Sequence, residues 1–168
     1  YGNGTDWNND RHDIHNLTRF LSSHWKRPPH DHLTWQIVQS DTATVTDLLQ
    51  APILFFNGHE SPSFSEQETE VLKSYIEEGG TLLAEACCGR SEFDQGFRNL
   101  ITSMYPEQDN PLKLLSRDHP LWSAEFLLEP SSSLPIWGFD FGCRTAILYS
   151  PQDLSCFWEQ RSTQQHLK

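Results

Sequence analysis

The chain has 168 residues, 36% hydrophobic and 21% charged, and its 23 acidic against 12 basic side chains give a formal net charge of −11. That length fits one domain with a substantial core, and the six Trp and ten Phe argue against disorder, which is poor in aromatics. The acidic balance, with no Lys/Arg cluster, argues against binding to nucleic acid or an anionic membrane, and no apolar run approaches the ~20 residues of a spanning helix.

The opening Tyr1-Gly2-Asn3-Gly4 reads as the middle of a fold, so a processed chain or an excised fragment is expected. Tyr1 to Asp13 is loop-like. Asn16 is an N-cap candidate for a short helix, Leu17 to Trp25, with Leu17, Phe20 and Leu21 on one face. Pro28-Pro29 stops it. Leu33 to Gln39 alternates as a strand does, and Thr44 to Leu49 reads as a helical turn capped by Thr44 or Thr46. Pro52 to Asn57 is a continuous apolar run, the pattern of a strand buried on both faces. Ser65, three residues before Glu68, opens a helix by a capping box. That helix runs to about Glu78 and ends at Gly79-Gly80.

Thr81 to Ala86 is the next buried strand, followed by a helix from Glu92 to Met104. After Pro106 the pattern turns strand-rich: Leu112 to Leu115, Ile136 to Phe141, Arg144 to Tyr149 and Ser155 to Trp158. Arg161 to Lys168 reads as a frayed tail. Alternating strands and helices imply a mostly parallel α/β sheet with right-handed crossovers, and the tail adds strands at one edge.

Chemistry concentrates at Cys87-Cys88-Gly89, where a buried strand turns into a helix. The carboxyl ends of strands are where open α/β sheets gather ligands. A thiol there is a candidate nucleophile, activated by the following helix N-terminus, or a metal ligand; it is equally a small buried hydrophobe. If the strand continues to Cys88, the two thiols point to opposite faces and only one lines the crevice.

Gly58-His59-Glu60 directly follows the apolar strand. If the two strands are neighbours, about 5 Å apart, His59 faces the thiols. That gives a Cys/His pair or a set of soft ligands for zinc or copper. The alternative is a histidine that braces its loop. Asp6-Trp7 and His119 lie in loops and are weaker candidates for binding. His12, His15, His30 and His32 match no strong zinc spacing, and four cysteines do not make a disulfide framework. Walker, Gly-x-Ser-x-Gly, His-Glu-x-x-His and dinucleotide motifs are absent from the sequence.

Taken in order, several of these pieces resemble a known family. They are Tyr1-Gly2 with Asp6-Trp7, Gly58-His59, the helix opened by Ser65-Glu66 and ended by Gly79-Gly80, and Cys87-Cys88-Gly89 with Phe93 and Phe97. His119-Pro120-Leu121 and the stretch from Ser150 to Trp158 complete the set. The chain resembles the bacterial family named domain of unknown function 4159 along nearly its whole length.

The resemblance implies a three-layer, flavodoxin-like fold of the class I glutamine amidotransferase and ThuA-like type. It implies an extracytoplasmic or periplasmic setting and supplies no reaction. The family's first strand, before the Tyr-Gly motif, and its segment after the final Trp are missing here, so a protein partner or larger assembly is expected. Amidotransferases carry their nucleophile at a turn comparable to Cys87 or Cys88, but their His-x-Glu pair has no counterpart. The expectation is therefore a non-catalytic binding or assembly module without a cofactor. A thiol- or metal-dependent hydrolase using Cys87 or Cys88 with His59 and Glu60, Asp6 and His119 nearby, and a turn at Gly89, is the alternative. A zinc or copper site is a third.

Overall fold

The computed structural model describes residues 6, 12–25, 33–125, 127–128 and 134–160, the last of these in its backbone alone. The apolar run forms strand β1 (Ile53–Gly58), and the buried strand before the thiols is β2 (Thr81–Ala86). They pair in parallel, from Ile53 opposite Thr81 to Gly58 opposite Ala86. Strand β5 (Arg144–Ser150) lies parallel on the other side of β2, with Ser150 opposite Glu85. Strands β4 (Trp137–Phe141) and β3 (Lys113–Leu114) extend that side in antiparallel pairings. The order is β1-β2-β5-β4-β3, so the chain is α/β with a parallel first half and antiparallel additions from the C-terminal region.

Local signals explain the helices. In α2 (Val45–Leu48) Thr44 is the cap and Asp47 completes the box. In α3 (Glu66–Glu77) the Ser65 hydroxyl accepts from Glu68 N, and the Glu68 carboxylate accepts from Ser65 N at 2.8 Å. These reciprocal bonds satisfy amides that the first turn would leave without partners. Glu68 is buried and also takes the Ser40 hydroxyl at 2.5 Å. Helix α4 (Ser91–Met104) presents Phe93, Phe97, Ile101 and Met104 to the sheet, all buried. Phe97 stacks on Tyr149 of β5 with centroids 4.5 Å apart, and Phe56 of β1 meets Phe93 at 5.2 Å. Phe55, pointing the other way, meets Trp158 at 5.9 Å. The β1–β2–β5 sheet thus has side chains engaged on both faces.

Three expectations are corrected. The first helix, α1 (Asp13–His24), starts at His12 and not at Asn16. Asn16 sits inside it, and its side-chain amide donates to Trp158 O at 3.1 Å. A tertiary contact has taken the residue that local rules assign to capping. Leu33 to Gln39 joins no strand; Gln39 alone makes a bridge, and Leu33, Trp35 and Ile37 are exposed. Strand propensity depends on a neighbouring ladder, and among the described residues this segment has none. Ser155 to Trp158 is not a strand but the start of helix α5 (Ser155–Gln160). Its apolar pattern is too short to tell the two apart; its first amides bind carboxylates instead.

Those carboxylates are Asp153, which accepts from Cys156 N at 2.9 Å, and Glu85 of β2, which accepts from Leu154 N at 2.7 Å and Ser155 N at 3.1 Å. Glu85 is fully buried. Burial pushes its carboxyl up to about 7, against the lowering effect of bonds from Ser155 and Leu154. The raised value means that the folded protein holds a proton that the unfolded chain has released between pH 4.5 and about 7. The linked stability is therefore full at low pH and is lost as pH rises through that window. We predict that denaturant unfolding of the metal-free protein shows a loss of up to about 3 kcal/mol between pH of about 5 and 8. Glu85→Gln, a permanently neutral acceptor, flattens the slope. An unchanged slope in that variant assigns it to other groups.

Candidate functional site at the carboxyl ends of the parallel strands

Because Gly58 stands opposite Ala86, the next residues of both strands emerge side by side: His59 and Glu60 after β1, Cys87 and Cys88 after β2. His59 is thus brought to the thiols, as the neighbouring-strand expectation requires. One donor atom each from His59, Cys87 and Cys88 lies within 4.8 Å of the other two. None of the four cysteines is in a disulfide.

Asp6 holds the histidine. Its Oδ2 accepts from the backbone amides of His59 at 2.7 Å and Glu60 at 2.9 Å, and its Oδ1 is 3.2 Å from His59 Nδ1. A carboxylate can only accept, so this contact requires a hydrogen on Nδ1, and in the neutral ring the lone pair is then on Nε2. The carboxylate comes this close because residue 58 is glycine; a Cβ there would sit 2.6 Å from Asp6 Oδ2. The His59 ring is 29% exposed.

The thiols differ. Strand β2 ends at Ala86, and Cys87–Gly89 makes a tight turn with Cys88 at φ 54° and ψ 18°. The strand does not persist to Cys88, so the opposite-face argument lapses and both sulfurs approach the histidine. Cys87 is buried at 1% exposure, with its Sγ 3.8 Å from Asp153 Oδ2. Cys88 is exposed, and its amide donates to the same oxygen at 2.7 Å. Burial pushes the Asp153 carboxyl up, but bonds from the Cys156 and Cys88 amides and from the Cys156 and Cys87 thiols outweigh it, holding Asp153 below the usual range. Left-handed backbone costs a non-glycine residue roughly 1–2 kcal/mol, and such strain persists where surrounding contacts over-determine it. The Asp153 bond is one such contact.

Of the other described candidates, Glu60 and Gly89 adjoin the site and the remaining histidines lie apart from it. Glu60 is exposed and contributes its amide to Asp6. Gly89, at φ 65°, continues the turn beside Gln152. His119 lies by the start of β5, whose far end meets the thiol turn. Its Nε2 is 2.9 Å from Thr145 Oγ1, and its Nδ1 accepts from Leu121 N. His12 pairs with Glu159 at 3.1 Å, and His15 is exposed on α1. Trp7, His30 and His32 lie outside the described residues. Elsewhere on the described surface there is a shallow hollow of about 110 Å³ near Ser40 and Glu68 and an open groove of about 440 Å³ along Gln36 to Gln39.

Sequence reading missed Asp153 and Glu85. Both left a signal. Glu85 interrupts an apolar strand, where an acid is rarely buried without partners, and Asp153, two residues before α5, accepts from the Cys156 amide as a capping side chain does.

The family described as Domain of unknown function (DUF4159) matches residues 1–168. The chain belongs to that family. Curated proteins give no match. The DUF4159 match spans Asp6, His59, both thiols and Asp153 and brings no reaction with it.

The strain at Cys88 yields a test in this DUF4159 domain. Cys88→Gly relieves the left-handed backbone and is expected to raise unfolding free energy by about 0.5–1 kcal/mol, while removing the exposed thiol. Residues kept for a site commonly cost stability. A loss of stability in denaturant unfolding would instead show that the Cys88 side chain supports the fold.

Proposed function

We propose that this domain is a binding module, not a turnover enzyme, and that its ligand at the carboxyl ends of β1 and β2 is a transition-metal ion, zinc or copper. The observation that carries this reading is the convergence of His59, Cys87 and Cys88 within 4.8 Å. Thiolate and imidazole are the ligands these ions select. Asp6 behind the ring supports it further, since a ligating histidine commonly gives its other N–H to a carboxylate. We read the scaffold as the three-layer, flavodoxin-like type of class I glutamine amidotransferases and ThuA-like proteins, with side chains engaged on both sheet faces in support. The extracytoplasmic setting rests on the resemblance alone. An assembly role draws support from the exposed apolar side chains Leu33, Trp35 and Ile37. No described helix is long and apolar enough to cross a membrane.

Equilibrium dialysis of the reduced protein, followed by elemental analysis, is expected to show one zinc or copper per chain. Cys87→Ser/Cys88→Ser abolishes it, and Asp6→Asn weakens it about 10–100-fold. Iodoacetamide labels the exposed Cys88 and Cys143 ahead of the buried Cys87; added metal protects Cys88 but not Cys143. Failure of the wild-type protein to retain metal rejects the proposal.

A second reading, a thiol-dependent hydrolase, draws on the left-handed Cys88 at a strand-to-helix turn. There Asp6 orients His59, His59 is the base and Cys88 the nucleophile. It requires ester hydrolysis that is insensitive to chelator and lost in Cys88→Ser; a metal-dependent hydrolase loses activity with chelator.

A further inference from the structure

The exposure of the cluster narrows the kind of ion and what reaches it; this step rests on the metal reading above. Cys87 is buried beneath the turn, whereas Cys88 is exposed and the His59 ring is 29% exposed. An ion held by these three donors has protein on the Cys87 side and solvent on the Cys88 side. Mixed sulfur and nitrogen donors suit zinc, and three protein ligands leave a fourth position of its usual tetrahedron open to an external ligand, which a closed four-ligand structural site does not. Charge agrees. Two thiolates and a neutral imidazole balance a divalent ion, whereas a monovalent copper ion leaves a net negative site.

We infer that the cluster takes a divalent ion of the zinc class and that its solvent-facing position accepts a soft external donor, a thiolate or an imidazole. The step is ligand exchange: the external thiol loses its proton to solvent, its sulfur displaces a metal-bound water, and no electron is transferred. The donor can come from a small molecule or from a side chain of a second copy; the chemistry is the same.

Cobalt(II) replacing zinc in the full chain reports this directly. The expected result is the visible absorption of tetrahedral cobalt with a sulfur-to-cobalt charge-transfer band. Adding 2-mercaptoethanol raises that band by roughly half, in proportion to three thiolates instead of two, and imidazole shifts the visible bands without raising it. Cys88→Ser, at an exposed position, lowers the charge-transfer band to roughly half. If a second copy is the source, cobalt-loaded protein sediments as a dimer before any thiol is added, and 2-mercaptoethanol returns it to monomer. A tetrahedral spectrum from a monomer that responds to neither donor overturns the inference while leaving the metal site standing. Tight copper(I) binding without cobalt or zinc does the same. Failure to bind any of these ions overturns both.

Discussion

The pairing of β1 with β2 is the constraint on which the candidate site depends. Parallel strands rise at the same rate per residue, so a register that sets Gly58 against Ala86 also sets His59 beside Cys87. A slip of one residue would turn every side chain of β1 to the other face. That would send Phe56 away from Phe93 and Phe64, its aromatic neighbours on the α4 side. The packing of the core and the meeting of histidine with thiols are therefore one requirement. Gly58 extends it: the absence of a side chain there lets Asp6 bind two amides and the imidazole together.

The thiol turn is held from the opposite side by α5. Asp153 bonds the Cys88 amide and the Cys156 amide at once, and Glu85, just upstream of the thiols, bonds the amides of Leu154 and Ser155. Two carboxylates thus join the end of β2 to the start of α5. They hold different charge states for different reasons: Glu85 is buried and drawn toward the neutral acid, Asp153 has enough donors to stay ionised. The left-handed Cys88 is sustained within this arrangement. The docking of α5 and the position of the exposed thiol are in that way mechanically linked.

Much of the architecture is legible in local chemistry. Thr44 with Asp47 and Ser65 with Glu68 announce their helices because a capping box is closed within four residues. The continuous apolar runs of β1 and β2 announce parallel strands because both faces are used. Legibility fails where a distant partner decides. Asn16 looks like a cap until Trp158 O takes its amide. Leu33 to Gln39 alternates correctly yet finds no ladder among the described residues beyond the bridge at Gln39, and Ser155 to Trp158 becomes helical because Glu85, some seventy residues away, receives its first amides.

By itself the sequence determined the α/β class, the strand-to-turn placement of Cys87-Cys88-Gly89 and Gly58-His59, and the acidic, aromatic-rich character of the domain. These follow from periodicity, capping and composition, which act over a few residues. Tertiary structure alone decided that His59 meets both thiols rather than one. It also decided that Asp6 and Asp153 support them from opposite sides and that His119 stays apart. The reason is geometric. Strand register, the φ of a single turn residue and the seat of a distant carboxylate are set by contacts between segments remote in the chain, and no local pattern encodes them.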